Sequence, residues 1–295
     1  MAFHKGCNMK RRLFDTSLRW RKIPNEKRFI AESFLRAREK LCVTAYARFL
    51  NDNESRGHVW YLGESEHSIT ALLVHCRQCL FPVFNKNPDI PGPRFLSRFL
   101  GKIPIHAIQG LREDVELLET LMKAQGYFAA ERNDYELMSL DDAPAADALR
   151  AGPAGLVLRS PESGDTEYLY ELQSAYEQEE VLPKNSEFNP AACRMNLEHI
   201  LSSQQTLVAE LNGRVVGKIN TSAETFTRYQ IGGVYVRPDC RGRGIALKMT
   251  AVFARNLLSD GKGITLFVKK RNSAARAVYQ KAGFTVHADY RICYY

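Results

Sequence analysis

Apolar and polar positions alternate most clearly in the second half of the chain. Two alternating runs, "TLVAEL" and "RVVGKINTSAE", flank Asn212 and Gly213, a pair that favours a type I′ hairpin. Four further short runs have strand character: "LVLRS", "RYQIGGVYV", "GITLFV" and "GFTVHADYRICYY". The pattern therefore predicts six strands after residue 155.

Segments in which apolar residues recur at helical spacing lie between these strands. Two helical stretches follow "LVLRS", a third follows "RYQIGGVYV", and "NSAARAVYQKA" precedes the last strand. The third stretch places Leu247, Ala251, Ala254 and Leu258 on one helix face. The order β-α-α-β-β-β-α-β-α-β predicts an α/β fold with a mixed sheet over residues 155–295.

The segment between the halves, "SLDDAPAADALRAGPAG", lacks apolar periodicity and predicts a linker at 141–154 between domains 1–140 and 155–295. A weak internal repeat relates the two sides. "AQGYFAAERNDYELM" parallels "KAGFTVHADYRICYY", and Gly126 and Gly283 lie 157 positions apart. The first domain is therefore predicted to be a diverged duplicate of the second, with chance similarity of two α/β segments as the alternative.

The first 50 residues carry most of the formal charge of +8, with 13 Lys and Arg against 4 Asp and Glu. Such a segment can bind nucleic acid. However, "EKRFIAESFLRAREKLCVTAYARFL" has an apolar stripe (Phe34, Leu35, Leu41, Tyr46) at helical spacing. We therefore favour an amphipathic helix whose basic residues face solvent, and we regard nucleic-acid binding as unlikely.

Cysteine usage and hydropathy favour a cytoplasmic protein. The chain has seven scattered cysteines, no apolar signal segment at its start and no run long enough to span a membrane. Cys76 and Cys79 form a CxxC with no second Cys or His pair at ligand spacing. They are expected to be inert thiols rather than a zinc or redox site, so no metal is predicted.

An Arg- and Gly-rich turn, "RPDCRGRGIALKM", follows the third strand of the hairpin region. The first N–H groups of the next helix lack intrahelical partners, and the helix dipole adds positive charge there. Gly242, Gly244 and the small Ala246 leave room for an approaching anion, and Arg241 and Arg243 add charge. The turn is therefore a candidate pyrophosphate site, although glycines of a tight αβ turn would look similar.

Two motifs resemble the GNAT superfamily of N-acetyltransferases. "VYVRPDCRGRGIA" is similar to the acetyl-CoA signature R/Q-x-x-G-x-G/A, with Arg241, Gly244 and Ala246 at its defining positions. "FVKKRNSAARAVYQKAGF" is similar to the strand, Asn, Ala, Tyr, Gly-Phe run that follows in the family. The resemblance covers about residues 155 to 295. It implies a sheet splayed between its fourth and fifth strands, and it makes the whole chain a possible tandem GNAT protein.

The resemblance also implies roles for individual residues. Asn272 would hydrogen-bond the pantetheine arm, and Tyr279, with an ordinary phenol pKa, would protonate the leaving thiolate. The remaining cofactor contacts would come from two backbone segments, Val234, Tyr235 and Val236 for pantetheine, and Arg241, Gly242, Arg243, Gly244, Ile245 and Ala246 for pyrophosphate. The alternatives are a simple helix N-cap for Asn272 and a packed aromatic for Tyr279.

The general base is not evident from the sequence. Many family members carry a Glu on the fourth strand, but "RYQIGGVYV" has no carboxylate. The candidates from elsewhere are Glu224, just before this strand, and a cluster of Glu177, Glu179 and Glu180. The cluster is a solvated helix face, an acidic lip for a cationic amine, or a base that acts through water.

The expected function is acetyl transfer from acetyl-CoA to a primary amine by direct attack in a ternary complex. The acceptor could be a small molecule or a peptide or protein amine. The alternatives are a catalytically weak CoA-binding regulatory module, and an acyltransferase recruited to nucleic acid by its basic start. In the first domain, Met122 stands where Tyr279 stands in the second, and prolines occupy positions 82, 88, 91 and 93. Since proline lacks an N–H donor, this domain is expected to bind no CoA.

Overall fold

The computed structural model describes residues 19–51, 58–63, 69–86, 90, 103–184 and 186–295. Within them, strands from both halves join one sheet in the order β1-β2-β3-β4-β5-β12-β6-β11-β10-β9-β8-β7. The strands are β1 (Arg19–Lys22), β2 (His58–Gly63), β3 (Ile69–Cys76), β4 (Cys79–Phe84), β5 (Ala107–Leu111), β6 (Glu131–Leu140), β7 (Leu156–Arg159), β8 (Thr206–Leu211), β9 (Arg214–Glu224), β10 (Arg228–Val236), β11 (Gly263–Lys269) and β12 (Thr285–Tyr294).

Helices cover the sheet and bury its apolar side chains. They are α1 (Arg28–Arg36), α2 (Val43–Leu50), α3 (Arg112–Lys123), α4 (Ala146–Arg150), α5 (Thr166–Tyr176), α6 (Pro190–Ser203), α7 (Ile245–Leu258) and α8 (Ser273–Ala282). The largest apolar cluster of the second half joins α7 and α8 to strands β8 to β11. None of the helices in the described ranges is both long and apolar enough to cross a bilayer. The predicted mixed α/β fold of residues 155–295 is confirmed.

Each half contributes its last strand to the sheet of the other. β6 pairs antiparallel with β11 on one side and with β12 on the other, and β12 in turn pairs with β5. The predicted boundary at 141–154 therefore follows a strand that is already part of the second half's sheet. The two halves share one hydrogen-bonded sheet rather than meeting only through a linker.

The internal repeat has a structural counterpart at the end of α3 and α8. Gly126 and Gly283 both adopt positive φ, 84° and 106°. The N–H of the following residue closes each helix, from Tyr127 to the Met122 carbonyl at 3.1 Å and from Phe284 to the Tyr279 carbonyl at 3.0 Å. These positions keep the 157-residue offset, as expected for a helix-ending turn inherited by both halves.

The basic segment near the start does not form one continuous helix. α1 ends at Arg36 and α2 begins at Val43, with a short 3₁₀ turn at Glu39–Leu41 between them. The buried Glu39 carboxylate accepts the Thr227 backbone N–H at 2.7 Å, so the chain bends here to contact the second half. The expected linker also differs from the prediction, because it contains α4, which packs against α7.

The CxxC motif flanks a hairpin turn rather than a metal site. Cys76 and Cys79 are paired residues of β3 and β4, and Arg77 and Gln78 form the turn with positive φ. Burial raises the pKa of Cys79 to about 12, which opposes the thiolate that zinc or redox chemistry requires. In the described part of the chain, no cluster of three or more His, Cys, Asp or Glu side chains could hold a metal ion. Cys7 lies outside the described residues.

Candidate active site

The site begins where two parallel strands separate. β10 and β11 pair only over Arg228–Ile231 and Gly263–Leu266, although both strands continue further. Beyond this point β10 also shifts register against β9, between Gly232 and Tyr235. The separation leaves the β11-facing edge of residues 232–236 without strand partners, and a cavity opens on either side of this gap.

Gly233 forms the centre of the irregular part of β10. Its φ is +58°, and a Cβ there would lie 2.0 Å from the Asn220 amide oxygen, so glycine is required. The buried Lys218 donates to the Gly233 carbonyl and to Asn220 Oδ1, both at 3.1 Å. Burial lowers the pKa of Lys218 to about 7. A costly buried amine thus holds the backbone in its bulged conformation.

The first cavity, of about 520 Å³, lies between the end of β10, the following turn and α8. We call it the turn cavity. The predicted pantetheine and pyrophosphate residues line it, with the exception of Arg243. Its lining includes Val234, Tyr235, Val236, Arg241, Gly242, Gly244, Ile245, Ala246, Asn272 and Tyr279.

Two left-handed glycines shape the turn before α7. Gly242 and Gly244 have φ of +76° and +78°. The Arg241 N–H is bonded to the Pro238 carbonyl, and the helix ladder starts with Lys248 N–H to Gly244 O at 3.0 Å. The N–H groups of residues 242–246 therefore lie outside the ladder, at the positive end of the helix dipole. A Cβ at Gly242 would meet no atom within 4 Å, so an approaching anion has free access there.

Arg241 is held by groups from two elements. Its guanidinium donates to the Val236 carbonyl at 3.0 Å and to Glu179 at 2.8 Å, and Tyr235 donates to the same carboxylate at 2.5 Å. Burial alone would raise the pKa of Glu179, but the bonds from Tyr235 and Arg241 outweigh it and lower the pKa. Glu179 therefore stays ionised and positions Arg241 at the mouth of the turn cavity.

The second cavity, of about 430 Å³, lies on the opposite side of the separated strands. We call it the strand cavity. Its wall combines β9, β10 and β11 with α5 and α6, and residues from the first half complete it, notably Arg48 and Tyr135. The two cavities share five residues: Glu180, Val234, Asn272, Ala275 and Tyr279. These residues mark the place where the cavities meet.

Tyr279 lies at this junction, on α8, with 8% of its surface exposed. Its ring packs edge-on against Phe284. Burial, with smaller contributions from Tyr176 and Glu180, raises the pKa of the phenol above its usual value. The expectation of an ordinary phenol pKa is therefore wrong. The hydroxyl keeps its proton more firmly than a solvated tyrosine would.

Asn272 serves as the N-cap of α8 and also faces the junction. Its side-chain oxygen accepts the Ala275 N–H at 3.0 Å, and its amide nitrogen donates to Glu180 at 3.1 Å. Lys269 lies 3.4 Å from the second oxygen of Glu180. The Asn272 side chain thus both caps α8 and orients the Glu180 carboxylate.

Glu224 does not lie at this junction. Its exposed carboxylate accepts a hydrogen bond from Lys262 at 2.5 Å, and it lines neither cavity. Glu224 lies away from the junction because it ends β9 opposite Tyr229, where β10 and β11 are still paired. Of the acidic cluster, Glu180 lines both cavities, because Glu177–Val181 forms a π-helical turn that continues α5.

Comparison with known proteins identifies the second half. Residues 166–284 match the model of the acetyltransferase (GNAT) family. A mycothiol acetyltransferase of Segniliparus rotundus is 38% identical over 73 residues, which are 23% of this chain and 28% of that protein. The chain thus matches only about a quarter of that relative's length.

Solved structures resemble the chain over nearly its whole length. A GCN5-related N-acetyltransferase of Sphaerobacter thermophilus matches with a TM-score of 0.61 and 18% identity, covering 95% of both chains. A tandem GNAT protein from the clavulanic acid biosynthesis pathway matches with a TM-score of 0.58 and 12% identity, covering 94% of this chain and 97% of that one. At these identities the comparison establishes the fold, and it fits two GNAT-like halves.

Proposed function

Residues 166–284 form an acetyltransferase domain of the GNAT family, and on that premise we propose that the chain moves an acetyl group from acetyl-CoA to a primary amine. Enzymes of this family use acetyl-CoA. The observation that carries the proposal is the meeting of two cavities at Tyr279, one beside an anion-binding turn and one on the opposite side of the gap. A donor and an acceptor entering from opposite sides would meet there.

The turn cavity fits the phosphate and pantetheine parts of CoA. The N–H groups of residues 242–246 would bind the pyrophosphate, since both positive-φ glycines leave the backbone accessible. The unpaired edge of Val234, Tyr235 and Val236 would bond the pantetheine amides as an added strand does. Arg243 would add charge from outside the cavity, and the Asn272 amide would reach the pantetheine arm in exchange for Glu180.

The chemistry at the junction is a direct transfer. The amine nitrogen attacks the thioester carbonyl, so that a C–N bond forms while the C–S bond breaks. Glu180, which borders both cavities, accepts the proton that the amine loses, directly or through water. Tyr279 donates a proton to the departing thiolate. Of the candidate bases, Glu180 rather than Glu224 therefore takes this role.

The first half contributes walls rather than a second reaction centre. We propose that residues 1–140 are a degenerate GNAT-like unit, joined through 141–154 to the catalytic unit at 155–295. In α3, Met122 stands where α8 carries Tyr279, and a thioether cannot donate a proton. Prolines 88, 91 and 93 lie outside the described residues, whereas Pro82 is part of β4.

Release of free thiol from acetyl-CoA across a panel of primary amines tests the proposal. We expect at least one amine to accelerate release above the hydrolysis seen without amine, with one acetylated product per thiol. Calorimetry with CoA is the parallel measurement. If CoA binds but no amine accelerates release, the chain is a CoA-binding module without transferase activity, and the proposed function is wrong.

A further inference from the structure

An arginine from the first half lies on the wall of the strand cavity. Arg48 belongs to α2, which packs on β9 and β10 of the second half. One turn earlier on α2, Thr44 donates to the Gln230 side chain at 2.8 Å, and Gln230 also lines the cavity. Because residues four apart share a helix face, this bond directs Arg48 toward the same cavity.

The guanidinium of Arg48 has no partner in the described part of the chain. No hydrogen bond or ion pair engages it there, although the side chain is only partly exposed. Many other arginines near the site are paired, as Arg241 is with Glu179 and Arg237 with Glu171. A partly buried cation without a counter-charge is unfavourable, so its position calls for an anion that arrives with a ligand.

The remaining charges of the cavity have a definite pattern. Among the described lining residues, three side chains carry charge: Arg48, Lys269 and Glu180. Lys269 lies 3.4 Å from Glu180, so these two compensate each other and Arg48 provides the surplus positive charge. The other polar groups are neutral hydrogen-bonding side chains, including Asn196, Gln204, Asn220, Ser222 and Gln230.

We infer that the acceptor amine carries an anionic group, a carboxylate or a phosphate ester, which Arg48 binds. This inference rests on the proposed function, because it places the amine at Glu180 and Tyr279 and the anion at Arg48. A guanidinium presents two parallel N–H donors that match either anion. The first half of the chain thus supplies a specificity-determining residue to the reaction of the second half.

Matched acceptors test the inference in the full-length protein. Three sets of primary amines of equal length are compared, ending in a carboxylate, a phosphate ester or a neutral carboxamide. We expect the wild type to favour one of the anionic sets over the carboxamide by about 10- to 100-fold in kcat/KM, the range of one hydrogen-bonded charge pair. The anionic set that is favoured identifies the natural group.

Two variants separate charge from packing. Arg48→Gln is expected to raise KM for the favoured anionic amine by about 10- to 100-fold with little change in kcat, and to leave the carboxamide unaffected. Arg48→Lys keeps the charge without the planar fork and should retain part of the preference. A wild type that acetylates the carboxamide as well as both anionic amines would overturn the inference and leave the proposed function intact.

Binding distinguishes failure of the inference from failure of the proposed function. Arg48 does not line the turn cavity, so CoA affinity should be equal in wild type and Arg48→Gln. If no amine is acetylated, calorimetry of the anionic and carboxamide amines on CoA-saturated protein still tests Arg48. If the wild type binds the anionic amine more tightly than the carboxamide and Arg48→Gln removes this preference, the inference is supported. If the wild type binds the two amines equally, the inference is overturned.

Discussion

Tyr279 is the single side chain on which the proposed chemistry depends most directly. Tyr279→Phe removes the hydroxyl and keeps the ring that packs on Phe284. We expect unchanged CoA affinity and a single-turnover rate about 100-fold lower, the usual contribution of a general acid. Rapid-quench measurement with saturating acceptor would provide the rate, and calorimetry the affinity. An unchanged rate would reduce Tyr279 to a packing residue.

Lys218 permits a prediction about pH and stability. Its pKa is about 7 in the folded protein, against an ordinary lysine value of 10.5, so the unfolded chain binds more protons between these values. The free energy of unfolding should therefore rise with pH across this window through Lys218, by at most about 1.4 kcal/mol per pH unit.

Lys218→Met lacks this contribution. The difference in unfolding free energy, wild type minus variant, should therefore be more positive at pH 9.5 than at pH 7. Denaturant titrations of both proteins at the two pH values supply the measurement, and other titrating groups cancel in the difference. Parallel pH dependence would mean that Lys218 stays protonated in the fold.

At this scale the placement of side chains within a motif was predictable from sequence. Asn272 and Tyr279 follow one strand at fixed spacing, so the pattern could place them in the same helix. Arg48 could not be found this way, since it lines a cavity together with Asn220 and Phe267, far away along the chain. Glu180 could not be singled out from its acidic neighbours by sequence, because the π-helical turn that brings it to both cavities has no clear sequence signature.

At the scale of elements, the turn before α7 can be tested through Gly242. Gly244 is a poor probe, since a Cβ there would lie 2.9 Å from the Gly152 backbone nitrogen. Gly242 faces open space, and Asp and Asn tolerate its positive φ better than other residues. Gly242→Asp should weaken CoA binding by about 100-fold through repulsion of the pyrophosphate, whereas Gly242→Asn should bind CoA nearly as the wild type does.

Calorimetric titration of the two folded variants with CoA provides this comparison. Equal affinities for Gly242→Asp and Gly242→Asn would show that no phosphate approaches the turn. Because the two side chains have the same shape, backbone strain affects both variants alike. Only the charge differs between them.

Elements with strong local signals were predictable, and those set by distant contacts were not. Asn212 and Gly213 adopt φ of 52° and 78°, as the hairpin signal requires. In contrast, the apolar stripe from Phe34 to Tyr46 predicted one helix, which the contact of Glu39 with Thr227 divides. This contact joins residues 188 positions apart, so no local sequence pattern predicts it.

At the scale of the whole molecule, the repeat was visible in sequence but the strand exchange was not. β6 and β12 pair antiparallel, and Asp134 lies opposite Arg291. These two positions are 157 apart, so the local pseudo-twofold axis passes between them, and their side chains form an ion pair at 2.7 Å. The local pattern of each strand is equally compatible with pairing inside its own half. The exchange depends on contacts across the assembled sheet.

The gap between β4 and β5 is the counterpart of the proposed CoA site in the first half. These strands pair over only two residues each, compared with four for β10 and β11. The cavity beside them measures about 240 Å³, against about 520 Å³ for the turn cavity. Pro82 lacks an N–H on this stretch of β4, and the buried Asp114 carboxylate accepts the Phe84 N–H at 3.2 Å. The strand edge that would bond pantetheine is therefore already occupied.

We accordingly predict one CoA per chain. Calorimetric titration of the wild type should give a stoichiometry of one, and Gly242→Asp should weaken that binding by about 100-fold without revealing a second event. Asp114→Asn serves as the control in the first half. Since Asp114 lines only the smaller cavity, its substitution should leave both stoichiometry and affinity unchanged. Two equivalents of CoA in the wild type would mean that the first half also binds CoA. A single equivalent whose affinity is unchanged by Gly242→Asp but altered by Asp114→Asn would place that CoA in the first half, because the charge at residue 114 would then act on the ligand.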